Sequence, residues 1–276
     1  MPGWVVELVG TTPDEFSLTS VRIADAAALG AEALEARVAE AYGEIAGRLG
    51  GSAIGRPVRL WNYIPSINAD MGGGRDRYMV FNAGRYRAFA AWFGGRGAFD
   101  RDVATASGVG HDGRDLMVHC LAARQAGVAV ENPRQVAPHR YSDRYGPLPP
   151  CFARATVLAE REMILVGGTA SIRGEESVHA ASLAKQMSET LTNLASVVEA
   201  AHAKVGMAPT RAMDEGEWLA RYRELRVYYP RAEDASAIER AARRAFAKRC
   251  RIEMVRAGLC RAELLVEIEG VAGLVS

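Results

Sequence analysis

Apolar positions recur at helical spacing in two long stretches. Between Ala31 and Gly50, residues Leu34, Val38, Ala41, Ile45 and Leu49 share one face, and Gly50-Gly51 ends the run, which predicts a helix. Between Val178 and Val205, residues Leu183, Met187, Leu191, Leu194 and Val198 do the same, closed by Gly206. Shorter apolar runs that stop at proline read as buried strands: VRLWNYIP at 58–65 and LRVYYP at 225–230. Further strands are predicted at LMVHCLAA from Leu116, at two segments within 153–166 around a turn near 160–162, at RIEMVRA, and along RAELLVEIEGVA. Helices are predicted over RDRYMVFNAGRYRAFAAWF, where Gly84 weakens the pattern, and over ASAIERAARRAFAKR with Asp234 as N-cap. The stretches GGGRDR at 72–77 and GGTASIRGEES are read as turn and loop.

The order helix, strand with proline, helix, closing strand occurs twice, which points to an internal duplication of an α+β unit. VRLWNYIP pairs with LRVYYP and LMVHCLA with LLVEIEG, which sets His119 opposite Glu267. The expected domains are residues 1–135 and 150–276, joined by a Pro- and Gly-rich connection at 136–149.

Composition narrows the function. The 276 residues are 49% hydrophobic and 24% charged, ordinary for a globular protein. With 34 basic and 33 acidic residues the net charge is +1, which argues against a broad nucleic-acid footprint. No apolar run is long enough to span a bilayer, and the start, MPGWVVELVGTTPDEF, lacks a leader pattern, so a cytoplasmic protein is expected. The cysteines, Cys120, Cys151, Cys250 and Cys260, form no CxxC, and the histidines form no HxxxH or HExxH, so no metal site is expected. Neither a dinucleotide nor a P-loop fingerprint is present, so no cofactor is expected. Basic residues are almost all arginine, the side chain that clamps carboxylates bidentately.

From Pro150 to about Gly273, FARAT, LVGGTAS, ETLTNLASVVEAA, RVYYPRAEDASAIE and VEIEGVA resemble the RidA/YjgF fold. Seven segments in order give a more specific likeness: WNYIPSIN (61–68), RYMVFNAGR (77–85), ATASGVG (104–110), VENPRQV (130–136), RYGPLPPCFARA (144–155), GGTAS (167–171) and CRAELLVEIEG (260–270). Together they resemble the chorismatases, whose chains carry two RidA-like halves. The resemblance implies an α+β fold of two such units, with mixed sheets and helices packed on one face. It implies a small-molecule substrate, chorismate, and no cofactor. RidA-like units usually meet as threes, so a homo-oligomer is compatible, its order left open.

Glu267 leads the candidate residues. Glu267 and Glu269 stand two apart in LLVEIEG and would share a strand face opposite Val266 and Ile268. Alone, that pattern is most often a solvated face, since buried carboxylates are costly; the functional alternative is a poorly hydrated general acid. The resemblance implies that Glu267 protonates the enolpyruvyl methylene of chorismate, with Glu269 structural. Cys260 alone reads as a small buried hydrophobe, on the strand segment preceding Glu267. The resemblance places it where a Cys accompanies 3-hydroxybenzoate plus pyruvate as products, and an Ala or Gly accompanies hydrolysis to a dihydroxycyclohexadiene carboxylate. Gly168 fits the same type by giving the ring room. Arg154 and Arg85 match positions expected to clamp carboxylates, with Arg251 a weaker third. Tyr78, Asn82 and Arg85 recur at helical spacing and are expected to form a polar lip to a pocket. Arg134 and Gln135 are placed along the connection, and His139 on a surface loop. The alternatives are the hydrolytic reaction, a mixed output including 4-hydroxybenzoate, and a RidA-like protein that binds small acids without turning them over.

Overall fold

The computed structural model describes residues 6–12 and 15–274; the opening segment read for a leader lies partly outside them. The chain divides into two compact units that interleave in sequence. The first comprises residues 1–127 and 138–152, the second 128–137 and 153–276. The expected connection at 136–149 is thus split between the two units.

In the first unit, β1 (Val6–Thr12), β2 (Phe16–Ile23), β3 (Arg56–Pro65), β4 (Thr105–His111) and β5 (Leu116–Ala123) form a sheet of order β1-β2-β5-β3-β4. Only β3 and β4 run parallel. Helices α1 (Ala31–Gly50) and α2 (Arg77–Phe93) accompany it, with a short α3 (Phe99–Asp102) before β4. The apolar stripe of α1 is buried as its periodicity requires: Leu34, Val38, Ala41, Ile45 and Leu49 are in the core. Gly84 does not break α2. It sits where α1 crosses, and a Cβ there would stand 2.5 Å from the Glu35 carbonyl oxygen and 2.8 Å from Val38 Cβ. The Gly72-Gly73-Gly74 turn has positive φ throughout, and the Asp76 after it caps α2 by accepting from Met79 N at 2.8 Å.

The second unit runs β6 (Val128–Val130), β7 (Ala155–Leu158), β8 (Met163–Ala170), the small hairpin β9 (Ile172–Arg173) and β10 (Glu176–Ser177), α4 (Leu183–Lys204), α5 (Glu215–Leu219), β11 (Tyr222–Tyr229), α6 (Ala235–Ala245), β12 (Arg251–Arg256) and β13 (Glu267–Gly273). Its main sheet has the order β12-β11-β13-β8-β7-β6, with β11 and β12 parallel. Leu194, Val197 and Val198 of α4 and Ile238 and Ala242 of α6 join Val157, Ile164, Val166, Val227 and Ile268 of the sheet in one core. Each unit is therefore an α+β layer with a mixed sheet.

The duplication is visible in topology. Hairpin, helix, strand, helix, parallel strand and closing central strand follow in the same order, β1-β2 matching β7-β8 and β5 matching β13. Three sequence expectations change. The predicted strand over RAELLVEIEGVA shortens to Glu267–Gly273, and the stretch before it is irregular. The loop at GGTASIRGEES is the end of β8 plus the hairpin β9–β10. Matching the prolines that end the two strands, Trp61 and Arg226 share a place, and they face His119 and Glu269. Glu267 faces Tyr228, so its counterpart is Met117 rather than His119.

Candidate active site

Glu267 is the first residue of β13, flanked by Ala170 on β8 and Tyr228 on β11. β13 is paired along both edges, and Glu267 and Glu269 are each 4% exposed. The solvated-face reading of VEIE therefore does not hold. Glu269 has partners of a structural kind. The Tyr228 hydroxyl donates to its Oε1 at 3.1 Å and the Arg226 guanidinium lies 3.6 Å away. Glu267 instead meets a thiol: Cys260 Sγ donates toward Oε2 at 3.9 Å. Burial, then the Glu267 charge, pushes the Cys260 thiol up to about 12, so at neutral pH it is a neutral S–H. Cys260 lies on the irregular stretch before β13, not on a strand.

Arg154 belongs to the same group, since its charge and that of Arg261 act on Cys260 in the opposite sense. It is 5% exposed, not a surface arginine. Its backbone is laced between elements, with its N–H on the Val130 carbonyl and its carbonyl accepting from Gly167 N. Its guanidinium donates to the Val136 carbonyl at 3.2 Å and lies 4.0 Å from the Glu131 carboxylate. Gly168 follows Gly167 on β8, two residues before Ala170, the neighbour of Glu267. The second unit thus brings Glu267, Cys260 and Arg154 together, with Gly168 on the adjoining strand.

Arg251 is not part of this group. It sits on the edge strand β12, 83% exposed, paired with Glu224 at 3.3 Å. On β11, Glu224 is four residues from Tyr228, the partner of Glu267, which is roughly 13 Å along a strand.

Tyr78, Asn82 and Arg85 lie on α2 of the first unit; Tyr78 is half-buried, while Asn82 and Arg85 are interior rather than a lip, 0% and 1% exposed. Arg85 Nη2 donates to Asn82 Oδ1 at 2.8 Å, and the guanidinium lies over the rings of Phe81 and Phe152. Arg85 Nε and Asn82 Nδ2 are buried without hydrogen-bond partners, and no carboxylate comes within 4.0 Å of Arg85 among the described residues. Tyr78 packs over Gly108, where a Cβ would lie 3.0 Å from its ring. His139 is buried, not on a surface loop, and bonds Asp100 at 2.9 Å. Among the described residues no group of three His, Cys, Asp or Glu could hold a metal ion, and no helix is long and apolar enough to cross a membrane.

Sequence reading missed the polar groups that hold the site. Arg134 does not merely line the connection: with Arg173 it clamps Glu189 of α4, at 2.5 and 2.6 Å, and its Nε donates to Asn193 Oδ1. Asn193 Nδ2 donates to the Ala170 and Ile172 carbonyls, tying α4 to the end of β8 beside Glu267. The signal was present, for Gln186, Glu189, Thr190 and Asn193 interrupt the buried face of α4 where apolar residues would be expected.

A tandem of two topologically matched α+β units, with a buried acid–thiol pair in the second, places the chain among proteins built from a duplicated α+β unit. The family model described as chorismatase FkbO/Hyg5-like, N-terminal, matches residues 6–122. A 3-hydroxybenzoate synthase from Streptomyces hygroscopicus is 38% identical over 220 residues, 77% of this chain and 62% of that protein. A chorismatase from Streptomyces rapamycinicus is 34% identical over 218 residues, 77% of this chain and 63% of that protein. The crystal structure of a chorismatase superposes with a TM-score of 0.84 at 28% identity, covering 97% of this chain and 77% of that one. The chain is similar to chorismatases over most of its length. It spans somewhat less than two thirds of the curated relatives it matches.

Proposed function

We propose that the protein cleaves chorismate to pyruvate and 3-hydroxybenzoate, with Glu267 as the acid. The observation that carries this reading is the buried Glu267 carboxyl against the neutral Cys260 thiol, in a chain similar to a 3-hydroxybenzoate synthase. In the proposed route Glu267 gives its proton to the enolpyruvyl methylene carbon. The ether bond to ring C3 then breaks with its electron pair going to oxygen, and the three-carbon fragment leaves as pyruvate. The substrate's C4 hydroxyl oxygen bridges to C3 as the bond opens. Ring opening of that intermediate and loss of the ring proton give 3-hydroxybenzoate. No water is consumed on balance, and the ring proton that is lost replaces the one Glu267 supplied. A neutral thiol beside the acid supports this outcome, because it offers an attacking water little hydration at that wall.

Arg154 is the carboxylate anchor in this reading, and Gly168 leaves room for the ring. Arg85, described within its own unit, is a second guanidinium suited to a carboxylate: buried, without a carboxylate partner within 4.0 Å among the described residues, and with an unsatisfied Nε. Arg251 takes no part.

The test is incubation of the purified chain with chorismate, with the product identified by mass and retention. Pyruvate with hydroxybenzoate is expected. Pyruvate with a product that has gained water would assign the hydrolytic reaction instead, and absence of pyruvate would overturn the proposal.

A further inference from the structure

We propose that Gln186 is a positioning residue that sets the spacing of Cys260 and Glu267 by clamping the irregular segment between them. The inference rests on the chorismate-cleaving reading for what that spacing does, not for the clamp itself.

After a single bridge residue at Gly258, the segment 259–266 has no ladder of its own until β13 begins at Glu267. Its geometry must therefore come from tertiary bonds. Gln186 is fully buried in the first turns of α4. Its Nε2 donates to the Glu263 carbonyl at 2.9 Å, and its Oε1 accepts from Leu265 N at 2.8 Å. One planar amide thus bridges two backbone groups lying between the thiol and the acid. The same Nε2 lies 3.4 Å from the His179 and Ala180 carbonyls, so the loop that leads into α4 shares the anchor. Outside the Gln186 clamp, Arg261 fixes the Cys260 side of the segment: its Nη1 donates to the Glu175 carbonyl at 2.8 Å and to Ser177 Oγ at 3.0 Å. A turn bond from Leu264 N to the Arg261 carbonyl closes the remainder. Gln186 is the member of this set that reaches the stretch next to Glu267. Without its amide, Leu265 N would lose its acceptor and the strand entry would be free to slide relative to α4.

Its donor and acceptor both matter. Gln186→Met keeps length and volume but removes both bonds. Gln186→Glu keeps an acceptor for Leu265 N but, when ionised, sets oxygen against the Glu263 carbonyl; once protonated, a carboxylic acid restores one donor and one acceptor.

Two readouts decide the matter. The first is the ratio of 3-hydroxybenzoate to dihydroxycyclohexadiene acid per pyruvate released. The second is the alkylation rate of Cys260 by iodoacetamide, followed by peptide mass, which needs no turnover. Gln186→Met is expected to shift the product ratio and to raise the alkylation rate, each by roughly tenfold, the factor corresponding to a buried backbone donor left without its acceptor. Leu194→Ala, a core truncation on the same helix, is expected to lower the melting temperature and leave both unchanged. Gln186→Glu is expected to return towards the wild-type product ratio as pH falls. It also carries the test if Gln186→Met does not fold. Wild-type values of both readouts in a folded Gln186 variant would overturn the proposal, as would an equal change in Leu194→Ala. If the wild-type chain releases no pyruvate, the functional reading fails, and alkylation alone still decides whether Gln186 holds the segment.

Discussion

Cys260 and Glu267 are seven residues apart in the chain and meet through space, thiol sulfur to carboxylate oxygen, at 3.9 Å. Glu267 is buried, Cys260 is only partly covered, and burial together with the Glu267 charge pushes the thiol up to about 12.

Removing the acid tests this arrangement. Glu267→Gln keeps the shape and removes the transferable proton. Pyruvate release from chorismate is expected to fall by about 10²–10⁴-fold, the range for a general acid, with an unchanged far-ultraviolet dichroism spectrum.

Changing the thiol separates bond cleavage from product choice. Cys260→Ala is expected to keep pyruvate release within about tenfold of wild type and to move the aromatic product towards the water-containing acid, read by mass. The thiol is held up to about 12, so it stays protonated through the neutral range and becomes thiolate only as pH approaches that value. At pH 8.5 its alkylation in the native chain is expected to run slower than that of a free cysteine. Equal rates would contradict the burial.

For Arg154, replacement by alanine removes a charged donor worth about 1.5–3 kcal/mol to a bound carboxylate. KM for chorismate is expected to rise by roughly ten- to a hundredfold, more than kcat falls. Lysine is expected to rescue only weakly, since it lacks the planar fork.

The Glu189 clamp gives a pH signature. Burial raises the carboxyl, but the Arg173 and Arg134 guanidinium groups outweigh it and hold Glu189 below the ordinary carboxylate range. Its stabilisation is then complete above the ordinary value of 4.5 and is lost as pH falls through the lower folded value. Glu189→Gln is expected to melt lower at pH 7, with the gap to wild type closing under acid, by thermal denaturation across pH 3–7.

Gly84→Ala tests the helix crossing. The methyl would meet the Glu35 carbonyl and Val38, and about 1–3 kcal/mol of destabilisation is expected from overpacking, measured by urea unfolding.

By itself the sequence determined the repeated α+β order, the span of α1 and the turn before α2, because these depend on local periodicity and turn chemistry, whereas Glu267 came forward only through the resemblance. Only the tertiary structure decided that the VEIE carboxylates are buried, since two strands and a helix layer must cover β13 before its faces leave water. It alone separated Arg154 from Arg251: each adjoins a strand in the sequence, but one is enclosed and the other lies on an edge. The spacing of Cys260 and Glu267 was likewise invisible, because an irregular segment takes its shape from distant partners such as Gln186, and no local pattern encodes a hydrogen bond across 79 residues.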